Sequence, residues 1–168
     1  MPYELSAGGI ALNGWFMHPV RVRYQETDKM AVVYHTNYIT WFEIGRTEWI
    51  RQAGLSYKEI EDRGLLLPVV HLEASYLQPA KYDDWVTIFT RVSEISKVRL
   101  RFDYRVVLGD FTQAGAAFAE DGEPEGKLLA KGSTLHGWIN DDWKVVALDR
   151  KAPDIYELLR RRAQGEAE

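Results

Sequence analysis

The chain contains no cysteine. That excludes disulfides, thiolate nucleophiles and cysteine-based metal sites together. No Gly-x-Ser-x-Gly elbow occurs either, so neither a serine nor a cysteine hydrolase mechanism is expected. There are four histidines, but no two have metal-ligand spacing, and no metal or other cofactor is expected. A phosphate-cradling glycine motif and the regular alternation of strands and helices of a dinucleotide-binding fold are both missing. No apolar run is long enough to cross a bilayer and no charged-then-apolar leader opens the chain. The expectation is a cytoplasmic protein without membrane insertion. A net charge of −4 gives no reason to expect a nucleic-acid partner.

What is present suits one domain with a sizeable core. There are 168 residues, 46% of them hydrophobic and 27% charged, with six Trp and nine Tyr. Residues 1–17 show no clear period and read as a loosely attached arm. Val20, Val22 and Tyr24 alternate with Arg21 and Arg23, which reads as a strand ending at Tyr24. From Asn37 to Ala53, Tyr38, Trp41, Phe42, Gly45, Trp49 and Ala53 recur three or four apart. That is a strongly apolar helix, stopped by Gly54 and surrounded by sheet. Gly45 lowers helix propensity, and it predicts close approach of a neighbouring strand. A short second helix spans Tyr57 to Asp62 and ends at Gly64.

The period then changes to two. Strands are expected around Val70–Tyr76, Trp85–Val92, Val98–Val106, Lys127–Ile139 and Trp143–Leu148. Residues 109–126, rich in Gly, Ala and acidic groups, read as a flexible loop. A terminal helix over 152–163 starts at Pro153, with arginines at its C-terminal end. One strand, one buried helix and a run of hairpin-linked strands make an α+β architecture built on an antiparallel sheet.

The stretch from Tyr24 to Tyr38 carries the most chemistry. Asp28 supplies a carboxylate that attacks a carbonyl or activates water, and His35 orients a substrate or stabilises developing charge. Asn37 is expected to cap the helix start, leaving backbone N–H groups nearby for an oxyanion. Each residue also has a plainer role. Asp28 suits a turn or cap, Tyr24 and Tyr38 suit core packing, and His35 suits local hydrogen bonding. The same local satisfaction is expected of His18, His71 and His136. Glu43, within the apolar helix, is expected to pair with Arg46 at i+3 or else to face a pocket.

The pattern Tyr24-x-x-Thr27-Asp28-x-x-x-Val32-Val33-Tyr34-His35-x-Asn37-Tyr38 resembles the hotdog-fold acyl-CoA thioesterases, in their 4-hydroxybenzoyl-CoA thioesterase and YbgC-like branch. The resemblance continues through Trp41-Phe42-Glu43-x-x-Arg46-Thr47-Glu48, Leu67-Pro68-Val69-Val70 and Tyr76-Leu77-x-Pro79-Ala80-x-Tyr82-Asp83-Asp84. It covers roughly residues 18–140. It implies a long central helix wrapped by a curved antiparallel sheet, and a homodimer or homotetramer with sites at the subunit interface. It further implies hydrolysis of a thioester to a free acid and CoA. Asp28 would be nucleophile or general base, with His35 and Tyr24 assisting and Tyr34, Asn37, Tyr38 and Glu43 contacting substrate. Arg91, Lys97, Arg99, Arg101 and Lys131 are candidates for the CoA phosphates. Two other functions fit the same resemblance: an acyl-carrier-protein thioesterase, or a non-catalytic acyl-CoA-binding protein. Ala31 departs from the pattern, which has glycine there. A left-handed backbone at this position would cost alanine energy.

Overall fold

The structure is a computed structural model that describes residues 14–112 and 115–166. Five strands form one sheet: β1 (Phe16–Arg21), β2 (Val69–Tyr76), β3 (Trp85–Ile95), β4 (Arg99–Leu108) and β5 (Leu128–Gly137). Their spatial order is β1-β3-β4-β5-β2, with every neighbouring pair antiparallel. β1 and β2 are therefore the two edges. The helices are α1 (Thr36–Gln52), α2 (Tyr57–Asp62), α3 (Leu148–Lys151) and α4 (Pro153–Ala163). None among the described residues is long and apolar enough to cross a membrane.

The apolar stripe of α1 explains its place against one sheet face. Tyr38, Trp41, Phe42, Trp49 and Ile50 are all buried. Phe42 stacks on Tyr104 of β4 with ring centroids 4.5 Å apart, an arrangement that adds to simple area burial. Gly45 permits the close approach that its position predicts: a Cβ there would lie 2.3 Å from Thr90 Oγ1 and 2.9 Å from the Ile88 methyl on β3. Gly54 ends the helix region with φ +104°, as a left-handed stop requires. Leu148, Ile155 and Leu159 extend the same core from α3 and α4.

Several expectations are corrected. Residues 1–13 of the expected arm lie outside the described residues, but Trp15, Phe16 and Met17 are buried. Phe16 belongs to the main core, whereas Trp15 and Met17 owe their burial in part to the segment expected to be a flexible loop. In its described part, Ala116 is buried and Phe118 meets Phe89 edge-on at 6.0 Å. The Trp15 indole donates to the Gly122 carbonyl at 2.8 Å. Phe89 and Val107 alternate with helix-facing Ile88 and Val106, so this second cluster covers the outer sheet face. The strand expected over Trp143–Leu148 is absent. A single bridge, Ile139 to Val145, stands there, and Leu148 already begins α3.

Strand β2 shows where cover is missing. Val69, Val70, Tyr76 and the following Leu77 are 45–60% exposed. One side of β2 pairs with β5, and its other side is open. A free apolar edge of this length is what a pairing strand fills.

Candidate active site

The Asp28 loop is a short hairpin-like turn. Thr27 bridges Val33, Asp28 N–H donates to Val32 O at 3.0 Å, and Ala31 N–H donates to Asp28 O at 3.0 Å. Ala31 has φ +61°, the left-handed backbone that favours glycine. The loop therefore keeps its turn and carries strain in its place. Asp28 is half-buried. Its Oδ1 accepts from Met30 N–H at 2.8 Å, leaving the other carboxylate oxygen without a protein partner among the described residues.

Helix α1 begins directly after this loop. His35 is its cap residue but makes no side-chain cap hydrogen bond. The backbone N–H groups of His35 and Thr36 find no acceptor among the described residues. Unpaired N–H groups at the first turn of a long helix sit at its positive end. A cavity of about 270 Å³ lies beside His35 and is lined also by Val32, Tyr38, Tyr76 and Pro79, but not by Asp28. Tyr34 packs on the His35 ring at 4.4 Å. Tyr76 lies edge-on to His35 at 6.1 Å and to Tyr38 at 5.3 Å. The Tyr38 hydroxyl accepts from Ala80 N–H at 3.2 Å, so its ring is both core and cavity wall.

Other expected residues fall elsewhere. Tyr24 does not end the first strand. It opens a 3-10 turn over Tyr24–Glu26, is 77% exposed and rests against Tyr82 at 5.8 Å. The strand stops at Arg21 because Val22 N–H and O bond Asp84 O and Asp83 N–H instead. Asn37 is not the helix cap. It is the second helical residue, and its Nδ2 donates to Glu26 O at 2.8 Å. No ion pair joins Glu43 to Arg46 among the described residues. Glu43 is exposed and lines a separate cavity of about 510 Å³ with Arg46, Thr47, Tyr57, Leu67 and Pro68.

Arg46 turns inward, with Nη1 3.2 Å from both ring nitrogens of His136. His136 is fully buried. A consistent proton assignment has its Nδ1–H donating to Leu67 O at 3.1 Å and its Nε2 accepting from the Thr134 hydroxyl at 2.8 Å. Thr134 in turn meets Tyr104 OH at 2.6 Å. Burial, seconded by the Arg46 charge, holds the imidazole down to about 4. Burial also pushes the Tyr57 phenol up to about 12. Of the expected phosphate-binding cations, Arg91 is paired to Asp103 and Glu123, Arg101 to Glu94 and Lys97 to Asp149. Arg99 and Lys131 have no acidic partner among the described residues.

Two residues receive no site role from the sequence. Glu26 has only 3% of its surface exposed and organises the loop through side chain and backbone. Tyr76 OH donates to the His35 carbonyl at 2.9 Å. Both stand inside the matched pattern, Glu26 two positions before Asp28 and Tyr76 at the head of Tyr76-Leu77-x-Pro79. Nothing in their spacing distinguishes a brace from a surface or strand residue.

Comparison with known proteins bears on the family and the fold. The model of the Thioesterase-like superfamily matches residues 22–156. The chain is 29% identical to YneP of Bacillus subtilis (strain 168), over 80% of this chain and 88% of that protein. It is 36% identical to the acyl-CoA thioesterase YbgC of Haemophilus influenzae, over 57% of this chain and 71% of that one. Its fold is similar to the crystal structure of the DHNA-CoA thioesterase of Staphylococcus aureus. That likeness has a TM-score of 0.73 and 32% identity, covering 92% of this chain and 97% of that one. Through this match, and through the antiparallel sheet packed on one long helix, the chain belongs to the thioesterase-like superfamily of the hotdog fold.

Proposed function

We propose that this protein hydrolyses acyl-CoA thioesters, with Asp28 as the carboxylate catalyst. The observation that carries the reading is the pair of unpaired N–H groups, on His35 and Thr36, at the start of α1 and at the end of the loop bearing Asp28. A thioester carbonyl set against those donors is polarised, and the negative charge that develops on its oxygen is stabilised there. The free oxygen of Asp28 then either attacks the carbonyl carbon, giving a mixed anhydride that water cleaves, or removes a proton from an attacking water. On either route the C–S bond breaks, CoA leaves as the thiol and the acyl group as the acid. His35 and Tyr38 would form the wall against which the acyl group lies. The names of the H. influenzae and S. aureus relatives support a CoA thioester as substrate.

The active unit in this reading is a homodimer formed by antiparallel pairing of two β2 edges. In such a pair, the start of one β2 lies beside the end of the other. Tyr76, at the end of β2, touches His35. Leu67 and Pro68, just before β2, line the cavity of Glu43 and Arg46. Pairing would thus set that cavity of one copy next to the helix start of its mate, giving Glu43 a place beside the substrate.

The test is Asp28→Asn assayed with a panel of aliphatic and aromatic acyl-CoAs, with mass by light scattering. Expected is loss of hydrolysis on the order of 10³-fold or more, with the dimer mass kept. A variant of wild-type rate would refute the role of Asp28. Ligand binding without hydrolysis by the wild-type protein across the panel would point to an acyl-CoA-binding protein instead.

A further inference from the structure

Glu26 is a buried carboxylate for which hydrolysis by Asp28 has no direct use. Placing such a charge in the interior is costly unless hydrogen bonds compensate it, and here they do so on several sides. One oxygen accepts from Arg23 N–H at 2.8 Å, with Arg23 Nε at 3.4 Å. The other accepts from the Trp41 indole N–H at 2.9 Å. The backbone carbonyl of the same residue accepts from Tyr34 N–H at 2.8 Å and from Asn37 Nδ2 at 2.8 Å.

These partners lie at distinct places in the chain. Arg23 precedes the 3-10 turn, Tyr34 closes the Asp28 loop, and Asn37 and Trp41 stand on the first two turns of α1. The side chain thus fixes the loop's entry to the helix, while the carbonyl fixes its exit to the same residue. A leucine or methionine would fill the space but would leave the Arg23 N–H and the Trp41 indole N–H without their acceptor.

We infer that Glu26 is a positioning residue: it sets the Asp28 carboxylate relative to the N–H groups of His35 and Thr36, with Trp41 and Asn37 as its anchors on the helix. This rests on the hydrolase reading of Asp28. The separation matters because a carboxylate and an oxyanion site must meet one carbonyl carbon and its oxygen together. Displacing a reacting group by about 1 Å costs on the order of 10²-fold in rate.

The experiment compares Glu26→Gln, Trp41→Phe and their double variant. A glutamine has one acceptor oxygen, so either Arg23 N–H or the indole N–H faces its NH₂ group. Trp41→Phe removes the indole donor outright. Expected for each single variant, assayed well below its Tm, is a kcat fall of ~10–10²-fold with KM within about threefold of wild type. The double variant is expected to lose less than the product of the two, because the two side chains are direct partners and their effects couple. Should Glu26→Gln fail to fold, Asn37→Ala serves. It keeps the helix and removes only the donor to the Glu26 carbonyl, and the same split of kcat from KM is expected. If the folded variants keep kcat within about twofold, or raise KM alone, Glu26 is a purely structural residue and the inference is overturned. Asp28→Asn run alongside separates the two failures. Its inactivity, with active Glu26→Gln, Trp41→Phe and Asn37→Ala, removes the positioning role alone, whereas its full activity removes the role of Asp28 on which the inference rests.

Discussion

His136 makes the stability of this protein depend on pH in a defined direction. In the folded chain the imidazole is buried, hydrogen-bonded to Leu67 O and Thr134, and faced by the Arg46 guanidinium, so it ionises only at about 4 instead of 6.5. In the unfolded chain it takes up a proton at its ordinary value. Below pH 6.5 the unfolded state therefore binds more protons than the folded one, and stability falls as pH falls, down to the folded value. The full gap corresponds to about 3 kcal/mol, and about 2 kcal/mol of it is lost between roughly pH 7 and pH 5. Burial also lowers the His18 value, which acts in the same direction, so a single chain measured alone does not isolate His136. The comparison is with His136→Gln, which is neutral at every pH and whose amide still donates and accepts. Urea unfolding at pH 7 and pH 5 gives ΔG for both chains. The substituted protein is expected to be less stable at pH 7 yet to lose about 2 kcal/mol less on acidification. Parallel losses in the two proteins would refute the assignment, and would mean that the His136 site admits the imidazolium.

Other perturbations address the site directly. Ala31→Gly removes a left-handed alanine, worth about 1–2 kcal/mol, and gives back about 0.4–1 kcal/mol in chain entropy. A net gain of about 0.5–1 kcal/mol is expected as a higher urea midpoint at unchanged m-value, and a destabilised variant would contradict the strain. Tyr76→Phe deletes the hydroxyl on the His35 carbonyl, which Tyr38 N–H also approaches at 3.3 Å. Stability should change by less than about 1 kcal/mol, while kcat should fall by about 3–10-fold as the helix start loosens. Unchanged kcat would show that Tyr76 only lines the cavity.

Much of the fold was legible because its signals are local and repeated. The pattern from Asn37 to Ala53 and the stop at Gly54 mark α1 within a residue of its observed bounds, and Gly45 announces the strand that crosses it. Tyr24 misleads for a physical reason. The alternation of Val20 and Val22 runs on into it, but Asp83 and Asp84 take the backbone bonds of Val22. Glu26 then draws the chain into a 3-10 turn. Asn37 misleads likewise, since its type suits a cap, but Glu26 O claims its side chain as a donor. Trp15 and Met17 look unpatterned because what helps to bury them is the segment 109–126, about a hundred residues away in sequence, while Phe16 between them faces the main core.

The sequence by itself determined the family, the α+β class and the central helix, because those depend on residue types at short, fixed spacings. It also located the departure at Ala31, and only the backbone could show that alanine there adopts the glycine conformation. Tertiary structure alone decided which groups are unpaired. The N–H groups of His35 and Thr36, the open β2 edge, the inward turn of Arg46 and the brace at Glu26 each depend on partners brought from distant parts of the chain. Hydrogen-bond satisfaction is a property of the whole fold, so no local pattern records it.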